Sequence, residues 1–431
     1  MKRTFIQKTV NNHVYNILAL PNTNFFKFEI INKYGSDVER IYNKRYGKNV
    51  YGISHLVEHL AFRNTRDYTT KELLRLIKNE GSYNASTDYS RINYWFQTSM
   101  DKVDIGINLV LNYTLNTLEK ISEEEFEIDK KVVYNEAKRY ADNHQTMFYF
   151  DVNKTMMNLH DEDNVIGIPD TIDTFTLEDC INIKDIFLQN SNCVYNITYD
   201  PTVMDVYDII AKIESAMEGF SSVNKHSISQ EEYLGSLVVP NTTDAKYLEN
   251  DSEQSMTYIT LDAIKDIISA DYGNSYLSSY AKTSLNDIIR EEHGLTYSVG
   301  LNSSLINSKP YTNFYCDVSK GNEEKLMELF KESINSSVDA WDASAYKEFI
   351  DTKKLKRTIS LLDQKAYGGW HTTATWHPEM FSSMKDILAE DIDGAYGYMD
   401  SKLGTESSIL EYMEGLRGKV NKGEFSKVSN Y

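Results

Sequence analysis

Residues 54–65, SHLVEHLAFRNT, carry two histidines and a glutamate whose spacing could do chemistry. On an α-helix, positions i, i+3 and i+4 share one face, so His55, Glu58 and His59 would project together. Two imidazoles one turn apart can bind Zn²⁺, and the carboxylate between them can take a proton from a metal-bound water. The alternative is a pair of ordinary core histidines, because the surrounding run GISHLVEHLAF is apolar and typical of a buried helix.

A catalytic zinc site needs a third protein ligand and leaves its fourth position to water. Residues 122–142 contain no Gly or Pro and open with a capping box of Ser122 and Glu125, which predicts one long helix. This helix offers Glu136 as the third ligand. Asp129 lies two turns earlier on the same face, where a carboxylate could hydrogen-bond a ligand and tune its basicity. For both acids, a solvated helix face is the alternative.

These segments resemble the insulinase/pitrilysin family of zinc peptidases, whose inverted motif is H-x-x-E-H, and its shorter-chain branch that includes mitochondrial processing peptidase. GISHLVEHLAFRNT and KKVVYNEAKRY resemble the family's zinc helix and third-ligand helix. NASTDYSRINYWF resembles the strand that pairs with the substrate backbone. EQSMTYI at 253–259 and IIREEHGLTYSVG at 288–300 resemble the opening strand and the Arg…Gly-Leu-x-Tyr segment of the second domain.

The resemblance implies that His55, His59 and Glu136 bind one Zn²⁺ per chain and that Glu58 is the general base. Asp129 stands where the family usually has a glutamate, so its shorter side chain reaches less far toward a ligand.

Four further residues gain a role from the resemblance. Arg290 and Tyr297 match the pair that contacts substrate carbonyls and steadies the tetrahedral intermediate, since a cation and a phenol donor stabilise a developing oxyanion. Without the resemblance they would be a surface arginine and a packing tyrosine. Asn84 and Ala85 are expected on a sheet edge that accepts the peptide as an added strand.

Family members enclose their substrate in a chamber of four α+β domains, and 431 residues supply two. Because this chain carries both the zinc residues and the Arg/Tyr pair, the simplest expectation is a symmetric homodimer with two shared sites. A heterodimer is the alternative.

The balance of 45 basic and 64 acidic residues gives a net charge of −19. This argues against a nucleic-acid binder, which needs clustered positive charge. It favours peptide substrates of basic character, although solubility alone would also explain it. The three scattered cysteines predict no disulfide framework and fit a cytoplasmic location. No stretch approaches 18 apolar residues, so no membrane span is expected.

Strands and helices do not alternate strictly in either half, which favours an α+β class with antiparallel sheets. The order of elements after residue 249 repeats that of the first half. We therefore predict a zinc-binding peptidase domain at 1–220, a polar linker at 221–248 and a similar domain at 249–431, together half of a clam-shell chamber. A helix is predicted at 273–292, and GGWHTTATWHP at 368–378 is predicted to be a loop with aromatic anchors.

The leading functional hypothesis is a zinc endopeptidase that cuts peptides or unfolded segments inside a closed chamber. A dedicated maturation protease for one leader or prosequence would use the same chemistry on a narrower substrate. A catalytically silent peptide-binding relative is the third reading, and such relatives usually lose zinc ligands.

Overall fold

The computed structural model describes residues 1–157, 159–160, 162–188, 192–220, 227–237, 245–248, 254–262, 264–306, 309–360 and 368–430. They belong to two compact units. Unit 1 comprises Met1–His144, His160–Leu237 and Tyr367–Gly394, and unit 2 comprises Gln145–Leu159, Val238–Ala366 and Ala395–Tyr431. The two units do not follow the two halves of the sequence: unit 1 includes Tyr367–Gly394 from the second half, and unit 2 includes Gln145–Leu159 from the first.

The predicted linker, 221–248, contains regular structure. Residues 230–236 form a helix and residues 245–248 form a strand, while 221–226 and 238–244 lie outside the described residues.

Unit 1 is built on a six-stranded sheet in the order β1-β2-β6-β3-β5-β4, in which only β2 and β6 pair in parallel. Asn11 and Asn12 join the first two strands with φ of 48° and 68°, as a two-residue hairpin turn requires. β4 closes one edge of the sheet. The strands are β1 (Thr4–Val10), β2 (His13–Ala19), β3 (Phe25–Asn32), β4 (Ser82–Asp88), β5 (Arg91–Ser99) and β6 (Cys193–Tyr199).

The strands of unit 1 alternate between an apolar and a polar face. Phe26, Phe28 and Ile30 of β3 enter the core with the buried residues of the helices, whereas Lys27 and Glu29 point to the opposite face. The helices of this unit are α1 (Val38–Tyr46), α2 (Ile53–Leu60), α3 (Thr70–Glu80), α4 (Val103–Thr114), α5 (Glu123–Ala141), α7 (Pro169–Ile172), α8 (Leu177–Phe187), α9 (Val206–Met217), α10 (Gln230–Ser236), α14 (Gly368–Trp376) and α15 (Pro378–Glu390).

The segment 368–378 is largely helical, so the predicted loop is wrong. Its glycines and threonines are weak helix formers, but Trp370 and His371 are buried, and tertiary packing overrides such propensities. Phe5 of β1 lies 5.3 Å from the ring of His371 and 5.7 Å from that of Phe381. Residues from the far end of the sequence therefore cover the first strand.

Unit 2 has a five-stranded sheet in the order β7-β11-β8-β10-β9, antiparallel except for β7 and β11. Phe148, Val152 and Met156 of α6 pack against Met256 and Val428 of this sheet. Its strands are β7 (Ala245–Leu248), β8 (Gln254–Asp262), β9 (Val299–Ile306), β10 (Lys309–Ser319) and β11 (Ser426–Asn430). Its helices are α6 (His144–Met157), α11 (Ile267–Ser279), a π-helix (Asn286–Glu292), α12 (Glu323–Asp339), α13 (Ala343–Ser360), α16 (Ile392–Lys402) and α17 (Glu406–Lys422).

Both units combine an antiparallel-rich sheet with helices, which confirms the predicted α+β class. The single helix predicted at 273–292 is wrong, because α11 ends at Ser279 and a separate π-helix begins at Asn286. Within the described part of the chain, no helix is both long and apolar enough to cross a bilayer.

Candidate metal centre

The first two candidate ligands lie on α2, a short helix anchored by its apolar face. Ile53, Leu56, Val57 and Leu60 are fully buried in the core of unit 1. His55 and His59 occupy the remaining face, one turn apart, with ring centroids separated by 4.8 Å. The apolar spacing of the helix thus determines which way the two imidazoles point.

The third candidate comes from α5, which begins at the predicted capping box. Its buried residues, Phe126, Asp129, Val133 and Ala137, recur at helical spacing. Glu136 places Oε2 at 3.9 Å from Nε2 of His55 and 3.6 Å from Nε2 of His59. In the described residues these three form the one group of His, Cys, Asp or Glu suited to a metal, with ligand atoms within 4.8 Å of one another.

The protonation of the two histidines suits metal binding. Burial, with His59 beside it, lowers the pKa of His55 to about 4. Burial also lowers the pKa of His59, although the carboxylates of Glu136 and Asp129 oppose it. Both imidazoles are therefore neutral near pH 7, with lone pairs free for a cation. Two imidazole nitrogens and one carboxylate oxygen are a donor set that fits zinc.

Glu58 lies between the two histidines in sequence, and its side chain is hydrogen-bonded to a residue of the sheet. The Thr87 hydroxyl on β4 donates to its Oε2 at 2.5 Å. Burial raises the pKa of Glu58 to about 7, Thr87 lowers it, and the charge of Glu136 raises it. A carboxylate with a pKa near the working pH is suited to exchange protons with a bound water.

The amino-terminal turn of α2 is capped by another helix. Glu39 of α1 is fully buried and accepts the backbone N–H groups of Gly52 at 2.7 Å and Ser54 at 2.8 Å. Gly52 has a φ of 92°, and a Cβ there would lie 2.2 Å from the Cα of Gly167. The turn preceding His55 is thus fixed from two sides, by the carboxyl group of Glu39 and by close backbone contact.

Asp129 is buried on α5, and its carboxylate is bound by an arginine. Arg63 Nε donates to Asp129 Oδ2 at 2.7 Å, and the Nη2 of Arg63 donates to Oδ1. The charge of Asp129 reaches His59 and raises its pKa. A hydrogen bond that Asp129 accepts from a metal ligand stays a prediction.

Asn84 and Ala85 lie on β4, at the edge of the sheet, where they pair with Trp95 and Tyr94 of β5. Asn84 is exposed and Ala85 is half-buried. Thr87, two residues further along the strand, contacts Glu58. This edge strand is therefore part of the framework of the site.

Arg290 and Tyr297 belong to unit 2. Tyr297 is 84% exposed, and the guanidinium of Arg290 lies 5.3 Å from the centre of its ring. Arg290 also pairs with Glu291 at 3.3 Å. The structure brings these two side chains together and leaves them accessible, and their role toward a substrate stays a prediction.

Sequence reasoning missed three residues that support the centre: Glu39, Arg63 and Thr87. Glu39 precedes the motif by 16 residues and has no local pattern that marks it as a cap for another helix. Thr87 could have been found, because strand alternation places it on the face of β4 opposite to Asn84.

Two α+β units and a His, His, Glu group with metal-ligand spacing are the features of a zinc-protease-like protein. A family model described as Insulinase (Peptidase family M16) matches residues 45–170, which contain His55, Glu58, His59 and Glu136. A model described as Peptidase M16 inactive domain matches residues 205–349. Together the two models cover more than half of the chain, and the chain belongs to the insulinase family, peptidase family M16.

Two curated relatives are called zinc proteases. Zinc protease PqqE of Helicobacter pylori is 28% identical over 193 residues, which are 44% of this chain and 41% of that protein. The chain thus spans less than half of that relative. An uncharacterized zinc protease of Rickettsia felis is 22% identical over 381 residues, 85% of each chain.

Solved structures show the same fold. A protease from Helicobacter pylori superposes with a TM-score of 0.75 at 17% identity, over 100% of both chains. The periplasmic protease PqqL from Escherichia coli gives a TM-score of 0.70 at 14% identity, over 99% of this chain and 47% of that one. At these identities the likeness establishes the fold alone.

Proposed function

We propose that this protein is a zinc-dependent endopeptidase that hydrolyses peptides or unfolded polypeptide segments. The observation that carries the proposal is the convergence of His55, His59 and Glu136, with Glu58 beside them on α2. The three ligands would hold the ion, which when bound would lower the pKa of its water and polarise the scissile carbonyl. Glu58 would accept the proton of the attacking water and deliver it to the leaving amine.

The substrate would bind as an added strand along β4. Among the residues that the structure describes, this strand pairs on one side only, so its outer edge can offer main-chain hydrogen bonds to an extended peptide near Asn84 and Ala85. Such recognition reads the backbone, and side-chain preference then depends on pockets and charge. The net charge of −19 supports a preference for basic peptides.

The test is cleavage of a mixed quenched-fluorescent peptide library by purified protein, with and without a chelator. Glu58→Gln should keep its zinc and lose activity, whereas Glu136→Gln should lose both. Glu124→Gln, an exposed change on the same helix, is the matched control and should behave as wild type. Zinc-loaded wild type that cleaves nothing in the library would contradict the proposal. Cleavage of a single sequence would favour the dedicated maturation protease.

A catalytically silent peptide-binding relative is the second candidate, since the model that matches residues 205–349 is described as an inactive domain. The peptidase is favoured because all four residues of the centre lie in the segment that matches the insulinase model. Peptide binding without turnover by zinc-loaded protein would reverse this preference.

We further propose a homodimer in which the zinc centre of one subunit works with Arg290 and Tyr297 of the other. Mixing two inactive variants tests this. If Glu58→Gln subunits exchange with Arg290→Ala/Tyr297→Phe subunits, each mixed dimer regains one intact site, so about a quarter of wild-type activity should return. No recovery after exchange would contradict shared sites, and activity that requires a different chain would indicate the heterodimer.

A cytoplasmic location remains a proposal that rests on cysteine usage. The Escherichia coli structural neighbour is periplasmic by its description, so cell fractionation of the native host is the deciding measurement.

A further inference from the structure

A chain of polar side chains crosses the sheet of unit 1 on the face opposite to its apolar core. Strand pairing places one residue of each strand in a single row: Gln7, Asn16, Asn196, Glu29, Trp95 and Asn84. The row runs from β1 at one edge to β4 at the other. Five of these six residues are polar, and α14 covers part of this face, where Asn16 donates to Thr375 at 3.0 Å and Thr198 contacts His371 at 3.2 Å.

The first arm of hydrogen bonds runs from β1 toward the middle of the sheet. Gln7 Nε2 donates to Asn16 Oδ1 at 2.9 Å, and Asn16 Nδ2 donates to Asn196 Oδ1 at 3.0 Å. Asn196 Nδ2 then donates to Glu29 Oε2 at 2.9 Å. Every amide in this arm therefore points its NH₂ group toward Glu29.

The second arm arrives from the edge strand. The Ser86 hydroxyl of β4 donates to Asn93 Oδ1 on β5. Asn93 Nδ2 donates to Glu29 Oε1 at 3.0 Å. The two arms converge on one carboxylate, and we call these six residues (Gln7, Asn16, Asn196, Glu29, Asn93 and Ser86) the amide chain.

Because both arms end on NH₂ groups, the side chain at position 29 must offer two acceptor oxygens and no N–H or O–H donor. A carboxylate offers two acceptor oxygens, whereas an amide offers one acceptor and one donor group, so a glutamine would meet one arm with NH₂ facing NH₂. Burial raises the pKa of Glu29, but Lys27, Asn196, His371 and Asn93 together hold it below its ordinary value. The carboxylate is therefore ionised and accepts from both arms.

The geometry points to Glu29 as a positioning residue that fixes the edge strand β4 for the binding of an extended substrate. By accepting the NH₂ group of Asn93, Glu29 turns the oxygen of that amide toward Ser86. Ser86 precedes Thr87, whose hydroxyl contacts Glu58. The inference concerns the substrate strand and so rests on the proposed function. The claim that Glu29 fixes the position of β4 does not depend on the proposed function.

The test moves the carboxylate by one place along the amide chain. Glu29→Gln leaves one arm unmatched, and Asn93→Asp sets two carboxylates against each other. In Glu29→Gln/Asn93→Asp, the carboxylate introduced at position 93 accepts from Ser86 and from the NH₂ group introduced at position 29. The amide oxygen at position 29 still accepts from Asn196. The double variant thus keeps the charge and the number of hydrogen bonds. Gln7→Ala, at the remote end on β1, is the control.

Two readouts are measured. Hydrogen exchange of the backbone amides of 82–88 should accelerate about tenfold in each single variant, the loss expected for one partly buried hydrogen bond, and return to the wild-type rate in the double variant. For peptide cleavage, KM should rise about tenfold in the single variants with kcat little changed, and recover in the double variant. Gln7→Ala should leave both unchanged.

The outcomes are separable from those that test the peptidase itself. If no peptide is cleaved by wild type, hydrogen exchange still decides whether Glu29 fixes β4. The inference is overturned if the β4 amides exchange as fast in the double variant as in the single variants. It is also overturned if they exchange at the wild-type rate in Glu29→Gln. If the amides of β4 exchange faster in the single variants and at the wild-type rate in the double variant, but KM does not change, the link to substrate binding is overturned.

Discussion

Replacing Glu39 should loosen the amino-terminal turn of α2 in proportion to the acceptors removed. Glu39→Ala leaves the N–H groups of Gly52 and Ser54 buried without partners. At about 1–3 kcal/mol for each orphaned donor, the free energy of unfolding should fall by about 2–6 kcal/mol. Glu39→Gln keeps one acceptor oxygen, so it should lose only about 1–3 kcal/mol.

The difference between wild type and Glu39→Gln should depend on pH. Burial raises the pKa of Glu39 from its ordinary value of 4.5 to about 8, even though hydrogen bonds from Ser54 and Gly52 lower it. The folded state therefore binds this proton more tightly than the unfolded chain. The resulting stability is complete below pH 4.5 and is lost as the pH rises through about 8. Because glutamine does not titrate, the advantage of wild type should shrink between pH 6 and pH 9.

The assay is urea unfolding at pH 6, 7.5 and 9, combined with zinc affinity from competition with a colorimetric chelator. Since His55 follows Ser54, Glu39→Ala should weaken zinc binding by about tenfold or more, the range found when supports of metal ligands are removed. Asp37→Asn is the control for zinc affinity, because this neighbouring buried acid accepts from Tyr233 at 2.6 Å and from the N–H of Gly35 at 3.2 Å, not from α2. A Glu39→Ala protein that unfolds at the wild-type urea concentration and binds zinc equally well would refute the reasoning.

Three further changes test other parts of unit 1. Arg63→Leu should destabilise by about 3 kcal/mol in urea unfolding, because it leaves the carboxylate of Asp129 buried without its partner, and Arg63→Leu/Asp129→Leu should recover most of the loss. Gly52→Ala should lower the melting temperature, since the new Cβ would lie 2.2 Å from Gly167 at a φ of 92°, and an equally stable variant would contradict this. Burial lowers the pKa of Lys184 from 10.5 to about 7, so the cost of its charge is complete below pH 7 and vanishes above 10.5. At about 1.4 kcal/mol per pH unit between 7 and 10.5, Lys184→Met removes a cost of about 5 kcal/mol at pH 6, but it also removes the hydrogen bond that Nζ donates to Thr114 O, at about 1–3 kcal/mol. The variant should therefore be more stable than wild type by about 2–4 kcal/mol at pH 6, and this gain should disappear toward pH 10.

Helical spacing and capping residues were enough to predict the elements that carry the candidate ligands. Ser122 and Glu125 mark the start of α5, and the apolar run around His55 defines α2. The spacing of residues within each helix does not determine how the two helices pack. The prediction that Glu136 of α5 meets the two histidines of α2 therefore rested on the family resemblance. The roles of Glu58, Asp129 and the Arg290/Tyr297 pair stay predictions.

What the sequence could not provide is mostly non-local. The cap that Glu39 provides depends on how α1 packs against the start of α2, and no sequence pattern near residue 39 indicates this packing. The amide chain depends on strand order, since β6 lies between β2 and β3 although it is remote in sequence. The helix at Gly368–Trp376 forms because Trp370 and His371 find a surface to bury against, which its weak local propensity did not reveal.

The exchange of segments between the units affects the order in which the chain can fold during synthesis. Unit 1 includes 367–394, so it lacks part of its structure until more than nine-tenths of the 431 residues have been made. Until then Phe5, which ends up fully buried, has neither His371 nor Phe381 to cover it. An edge strand whose buried aromatic side chain stays uncovered for that long invites wrong pairing. Folding of the unit that carries the candidate metal centre is thus completed late in translation, and a chain truncated before 367–394 cannot complete it.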